Sequence, residues 1–114
     1  MKKIAILSCL DAAKVCTGAV CFQAWNEKSR HFTCYAGEDA VLTAFFHCNG
    51  CASDPSQDPG MIEKLDRLQT MGVDVVHTGV CTLSHHDRKT LCPNIKTIME
   101  MLHERGIETV EGTH

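Results

Sequence analysis

Val41-Leu42-Thr43-Ala44-Phe45-Phe46-His47-Cys48-Asn49-Gly50-Cys51 is the stretch that decides how the chain is read. Residues 41–47 are apolar at nearly consecutive positions and rich in β-branched and aromatic side chains. That composition fits a β-strand. The run ends at a C-x-x-C. The residues after it, Ser53 to Gly60, hold two prolines and read as loop.

The same pattern, an apolar run that stops at a potential ligand, recurs on both sides. Lys3–Ser8 (KIAILS) ends at Cys9, and Val73–His77 (VDVVH) leads through Thr78, Gly79 and Val80 to Cys81. Ile107–Val110 is followed at short range by His114. Helices fill the gaps. Gly18 to about Lys28 carries Ala19, Phe22 and Trp25 as an apolar stripe, with Thr17 as its cap. Asp58 caps a second helix with Pro59 in its first turn. Ile62, Leu65 and Leu68 are its inner face, and Gly72 its end. Cys92–Pro93 opens a third, with Ile95, Ile98, Met99 and Leu102 inward and Gly106 at the end. Ser29–Asp39 and Thr82–Leu91 read as loops. The order β-α-β-α-β-α-β predicts a single three-layer α/β domain over residues 1–114. Its four-stranded, mostly parallel sheet is flavodoxin/Rossmann-like, with strand order 2-1-3-4.

Composition narrows the function classes. The chain has 114 residues, 44% hydrophobic and 22% charged, with a net charge of −3, which is ordinary for a globular domain and unlike a disordered one. Lys and Arg are scattered, and one Trp, one Tyr and four Phe offer few surfaces for stacking bases, so nothing points to nucleic acid. No apolar run approaches the roughly 20 residues of a membrane span. The unusual numbers are eight Cys and seven His. Met1-Lys2-Lys3 and the run after it faintly resemble an export signal. The run is shorter than the roughly 7–15 apolar residues such a signal needs, and Asp11 and Lys14 follow soon after. The expected compartment is therefore a reducing cytoplasm. There, cysteines serve more often as metal ligands or redox centres than as structural bridges.

Ligands of open parallel sheets bind outside the carboxyl ends of the strands. Cys9, Cys48 with Cys51, Cys81 and His114 follow four different strands, so all are expected at one edge. Two thiolates three residues apart on a turn can face one ion, and Asn49–Gly50 tolerates the left-handed backbone such a turn needs. Cys92 before Pro93 is expected at a helix N-cap, where the dipole favours a thiolate, and Cys16 near the start of the first helix gains similarly. Cys21 and Cys34 read as buried small hydrophobes or bystanders. His31, His77 and His103 read as surface or core, and the neighbouring His85 and His86 as a solvated loop near Cys81 and Cys92. Phosphate-cradling and nucleophile-elbow motifs are absent.

Cys9, Cys16, Cys48-Asn49-Gly50-Cys51, Cys81, Cys92–Pro93 and the closing Gly112-Thr113-His114 together resemble the CGGC-domain family over nearly the whole chain. That family comprises small prokaryotic proteins rich in Cys and His, and the resemblance implies metal binding, with zinc as the implied ion. Asn49 stands where the family has its first central Gly. If that Gly lets backbone approach a ligand closely, the Asn side chain would partly block the approach.

The expectation is a metal-binding protein in which Cys9, Cys48, Cys51 and Cys81 form the ligand set, with Cys92, Cys16 and His114 as further candidates. Four ligands suffice for zinc, and an iron–sulfur cluster also takes four thiolates, so six thiols and a His leave both open. The alternative is thiol–disulfide or sulfur-carrying chemistry at the Cys48/Cys51 pair. A metal-stabilised interaction module is a third reading. The residues identify neither a protein partner nor a reaction.

Overall fold

Four strands run side by side in the order β2-β1-β3-β4, every neighbouring pair parallel. They are β1 (Lys2–Ser8), β2 (Ala40–His47), β3 (Val75–Thr78) and β4 (Glu108–Glu111). Three helices connect them: α1 (Ala19–Glu27), α2 (Pro59–Thr70) and α3 (Pro93–Glu104). This is the arrangement in a computed structural model that describes residues 1–83 and 89–114. His85 and His86 lie outside the described residues. The α/β class and the strand order 2-1-3-4 agree with the sequence reading, and the sheet is wholly rather than mostly parallel.

The sheet is sandwiched because its central strands β1 and β3 bury both faces, whereas the edge strands β2 and β4 are only partly covered. Ala5, Leu7 and Val76 pack against Met61, Leu65 and Leu68 of α2 and against Ile95, Ile98, Met101 and Leu102 of α3. Ile4, Ile6 and Val75 on the other face meet Cys21, Ala24 and Trp25 of α1, together with Phe32 and Tyr35. Each fully buried side chain of this size contributes about 1.5–3 kcal/mol of transfer free energy.

Several local expectations shift. The inner face of α1 is Cys21, Ala24 and Trp25, not Ala19, Phe22 and Trp25. The small Cys21 and Ala24 let the helix lie close to the sheet, while Phe22 turns outward to stack on Phe45 with ring centroids 5.5 Å apart. Its N-cap is Gly18 at φ 77°, and the Thr17 hydroxyl accepts from the Ala19 N–H at 3.2 Å. Met61 rather than Ile62, and Met101 rather than Met99, complete the buried faces of α2 and α3, leaving Ile62 and Met99 partly covered. Asp58 caps α2 as expected, accepting from the Gly60 N–H at 2.9 Å.

The stretch 29–39 is not mere loop. Arg30–Tyr35 forms a 3₁₀ turn that seats Phe32 and Tyr35 in the core. They surround His77 of β3, which is 0% exposed. A carbonyl can only accept, so His77 Nδ1 carries the proton donated to the Gly112 carbonyl at 2.8 Å. Nε2 is then bare and accepts from the Tyr35 hydroxyl at 2.7 Å. Burial pushes the His77 pKa below its usual value, the Gly112 carbonyl opposes that, and nearby His31 adds to it. Burial pushes the Tyr35 phenol well above its ordinary range.

Candidate functional site

The carboxyl ends of β1, β2 and β3 open onto the N-terminus of α3, and five cysteines line the small cavity between them: Cys9, Cys48, Cys51, Cys81 and Cys92. Its volume is about 20 Å³. Thr82, Leu83 and Ile95 complete much of its wall.

Backbone hydrogen bonds fix each contributor. The ladder flanking β1 continues past the strands, with Cys48 N–H to the Ser8 carbonyl and Gly79 N–H to the Leu7 carbonyl, both at 3.0 Å. Cys48 and the segment leading to Cys81 are thereby set on either side of Cys9. The Cys92 N–H donates to the Thr82 carbonyl at 2.9 Å, and Leu83 pairs with Leu91, which ties the start of α3 to the Cys81 segment. Cys92 is the N-cap residue of α3, and its side chain makes no cap bond, so the thiol faces the cavity. On the open side, Asn94 Nδ2 donates to the carbonyls of Gly50 and Ser53, each at 3.4 Å.

Two successive amides beyond β1 turn toward sulfur. The Cys9 N–H donates to Cys81 Sγ at 3.4 Å, and the Leu10 N–H to Cys48 Sγ at 3.3 Å. Such bonds favour the anionic form of the acceptor. Close approach is needed at Gly79, where a Cβ would stand 3.3 Å from Cys81 Sγ. Gly50 holds φ 98°, which an L side chain rarely adopts. Asn49 is not in the left-handed region, so Gly50 alone makes the turn between Cys48 and Cys51. Nor does Asn49 line the cavity, and its side chain does not block it.

A family model described as the CGGC domain matches residues 3–114. The chain belongs to the CGGC-domain family. Comparison with curated proteins and with solved structures gives no match.

In this CGGC domain all eight cysteines are free thiols. Burial pushes the Cys81 thiol pKa up, the Cys9 amide partly offsets this, and the sulfurs of Cys9, Cys21 and Cys16 push it further. Cys51 is also raised, first by desolvation and then by Cys92, Cys9, Cys48 and Asp11. No Lys, Arg or His is among the described residues that line the cavity. Among the described lining residues, Cys51 and Cys81 thus face other sulfurs and no cation. Among the described residues, no three His, Cys, Asp or Glu side chains stand together at the spacing of a preformed metal site.

Of the seven residues singled out from the sequence, the fold brings five to one cavity and leaves two outside it. Cys16 is exposed and accepts from the Gly18 N–H at 3.3 Å. His114 is exposed and borders two other surface hollows, one beside α1 and one beside His31 and Gly112. Cys34 is exposed, whereas Cys21 is buried and lies 3.3 Å from Thr113 Oγ1.

Sequence reasoning passed over Ser8, His47 and Asn94. Ser8 and His47 stand opposite each other in the parallel register, and Ser8 Oγ bonds His47 Nδ1. The signal was available, since each directly precedes the cysteine that ends its strand. Asn94 has no such signal, because its role depends on where α3 starts relative to the Cys48–Cys51 loop. Among the described residues no helix is long and apolar enough to cross a membrane.

Proposed function

We propose that this CGGC domain binds one thiophilic metal ion, with zinc as the best fit, through thiolates drawn from Cys9, Cys48, Cys51, Cys81 and Cys92. The observation that carries the reading is that five cysteines from four separate parts of the chain line one cavity of about 20 Å³. A cavity that size has room for one water-sized occupant. That suits a single ion better than a multi-iron cluster, and soft sulfur donors suit zinc.

The donor chemistry fits the group. Several thiols around one small space repel one another once ionised, and no cationic side chain among the described lining residues offsets them. A divalent ion would supply that charge as the thiols release their protons to solvent. The Cys9 and Leu10 amides then act as outer partners that orient Cys81 and Cys48. Zinc would be held by four of the five thiols, with the fifth beside them. The dithiol reading has one point in its favour, an exposed Cys51 next to a buried Cys48. Its attacking thiol would need a lowered pKa, and Cys51 is pushed the other way. A reducing compartment keeps all these thiols available, and we place the protein there.

The test is metal and acid-labile sulfide analysis of protein purified without oxygen. Zinc near one per chain without sulfide is the expected result. Iron with matching sulfide replaces the single ion by a cluster. Absence of both, with no uptake of added zinc, overturns the metal reading in favour of thiol redox chemistry.

A further inference from the structure

Asn49 lies between the two cysteines of the C-x-x-C yet faces away from the cavity, toward α2. Its side-chain oxygen accepts from Lys64 Nζ at 2.7 Å, and its side-chain nitrogen donates to Asp58 Oδ2 at 3.0 Å. Lys64 Nζ also donates to the His47 carbonyl at 2.8 Å. One ammonium therefore holds the peptide carbonyl that precedes Cys48 and the side chain that follows it. Asp58 is shared in the same way, because its other oxygen accepts from the Gly60 N–H and caps α2.

The orientation of the Asn49 amide is determined. Turned over, it would set its NH₂ against the ammonium and its oxygen against the carboxylate. Space is provided as well, since a Cβ on Gly60 would stand 3.0 Å from Asn49 Nδ2. A glycine, which the motif's name carries at position 49, offers neither the donor nor the acceptor.

We propose that Asn49, Lys64 and Asp58 form a positioning clamp that presets the separation and direction of the Cys48 and Cys51 thiols. This deepens the metal-site reading and rests on it for the ion. The physical argument is preorganisation. Cys51 sits on an exposed loop that, among the described residues, receives two long side-chain hydrogen bonds from Asn94 of α3, at 3.4 Å each. Without the clamp, the loop must be ordered when the ion arrives, and affinity falls by that cost.

The experiment compares wild type with Asn49→Gly, Asn49→Asp and the double variant in which Asn49→Asp is combined with Asp58→Asn. Two quantities are measured under anaerobic reducing conditions: the zinc dissociation constant by competition with a chromophoric chelator, and the alkylation rate of Cys51 in metal-free protein. Ordering the backbone of one released loop residue costs about 5–30-fold in affinity, and Asn49→Gly is expected in that range. Asn49→Asp sets two carboxylates face to face and weakens binding too. The double variant exchanges the two side chains and restores every hydrogen bond. The amide now at position 58 caps α2 through its oxygen and donates to the carboxylate now at position 49, which still accepts from Lys64. Affinity returns to within a few-fold of wild type. A merely structural role would lower the urea midpoint without this rescue of zinc affinity. Wild-type zinc affinity and wild-type Cys51 alkylation in both single variants would overturn the clamp. If wild type itself binds no zinc, the metal reading fails. The alkylation rates then decide the clamp alone: altered in the singles and restored in the double variant supports it, and unchanged overturns it.

Discussion

Replacing Tyr35 by Phe tests whether the buried polar contact beneath the sheet edge stabilises the fold. The phenyl ring can keep its neighbours, Trp25 and Phe32 at centroid distances of 5.8 and 6.2 Å and His77 at 5.5 Å. What disappears is the hydroxyl that donates to His77 Nε2 at 2.7 Å. His77 is 0% exposed, so no water replaces that donor, and its other nitrogen is already committed to the Gly112 carbonyl. A buried acceptor left unpaired costs about 1–3 kcal/mol. For a chain of this size that corresponds to a fall in Tm of roughly 4–12 °C, at about 4 °C per kcal/mol. Urea unfolding followed by circular dichroism should show a lower midpoint with an unchanged m value. A loss below about 0.5 kcal/mol, the scatter of ordinary surface substitutions, would refute the tautomer assignment and the role given to this contact.

Stability should also depend on acidity through the same imidazole. Folding holds the His77 pKa below its unfolded value of about 6.5, so below neutrality the unfolded chain binds more protons than the folded one. Stability is full above that value and falls as pH drops through it toward the folded pKa. Urea midpoints between about pH 7.5 and 5 check this, and His77→Asn should remove part of the slope. Gly50→Ala places a Cβ at φ 98° and should cost about 1–2 kcal/mol or more while weakening zinc binding, read by unfolding and chelator competition. Cys51→Ser should weaken zinc binding in chelator competition, because the fifth thiol would have to take its place, whereas Cys21→Ser, outside the cavity and beside Thr113, should leave it unchanged. Equal zinc affinity in the two variants would remove Cys51 from the ligand set.

The sequence by itself determined the alternation of elements, the parallel sheet and the edge at which to look. Apolar runs that stop at cysteine can be read locally, because strand periodicity, proline and glycine act over a few residues. It therefore placed Cys9, Cys48, Cys51, Cys81 and His114 at one end of the sheet, and Cys92 at the start of a helix. Three helix faces came out partly rotated or shifted, because a small residue such as Cys21 can lie against a sheet where Phe22 cannot, and period counting does not weigh size. Only the tertiary structure decided that Cys16 and His114 stand outside the cavity. The length and direction of the segments after β1 and β4 settle that, not their order. It also decided that His77 is a core group between Tyr35 and Gly112, and that Asn49 turns toward Lys64 and Asp58. Those contacts join residues 9 to 42 positions apart, and hydrogen bonds over such separations follow from how the layers pack.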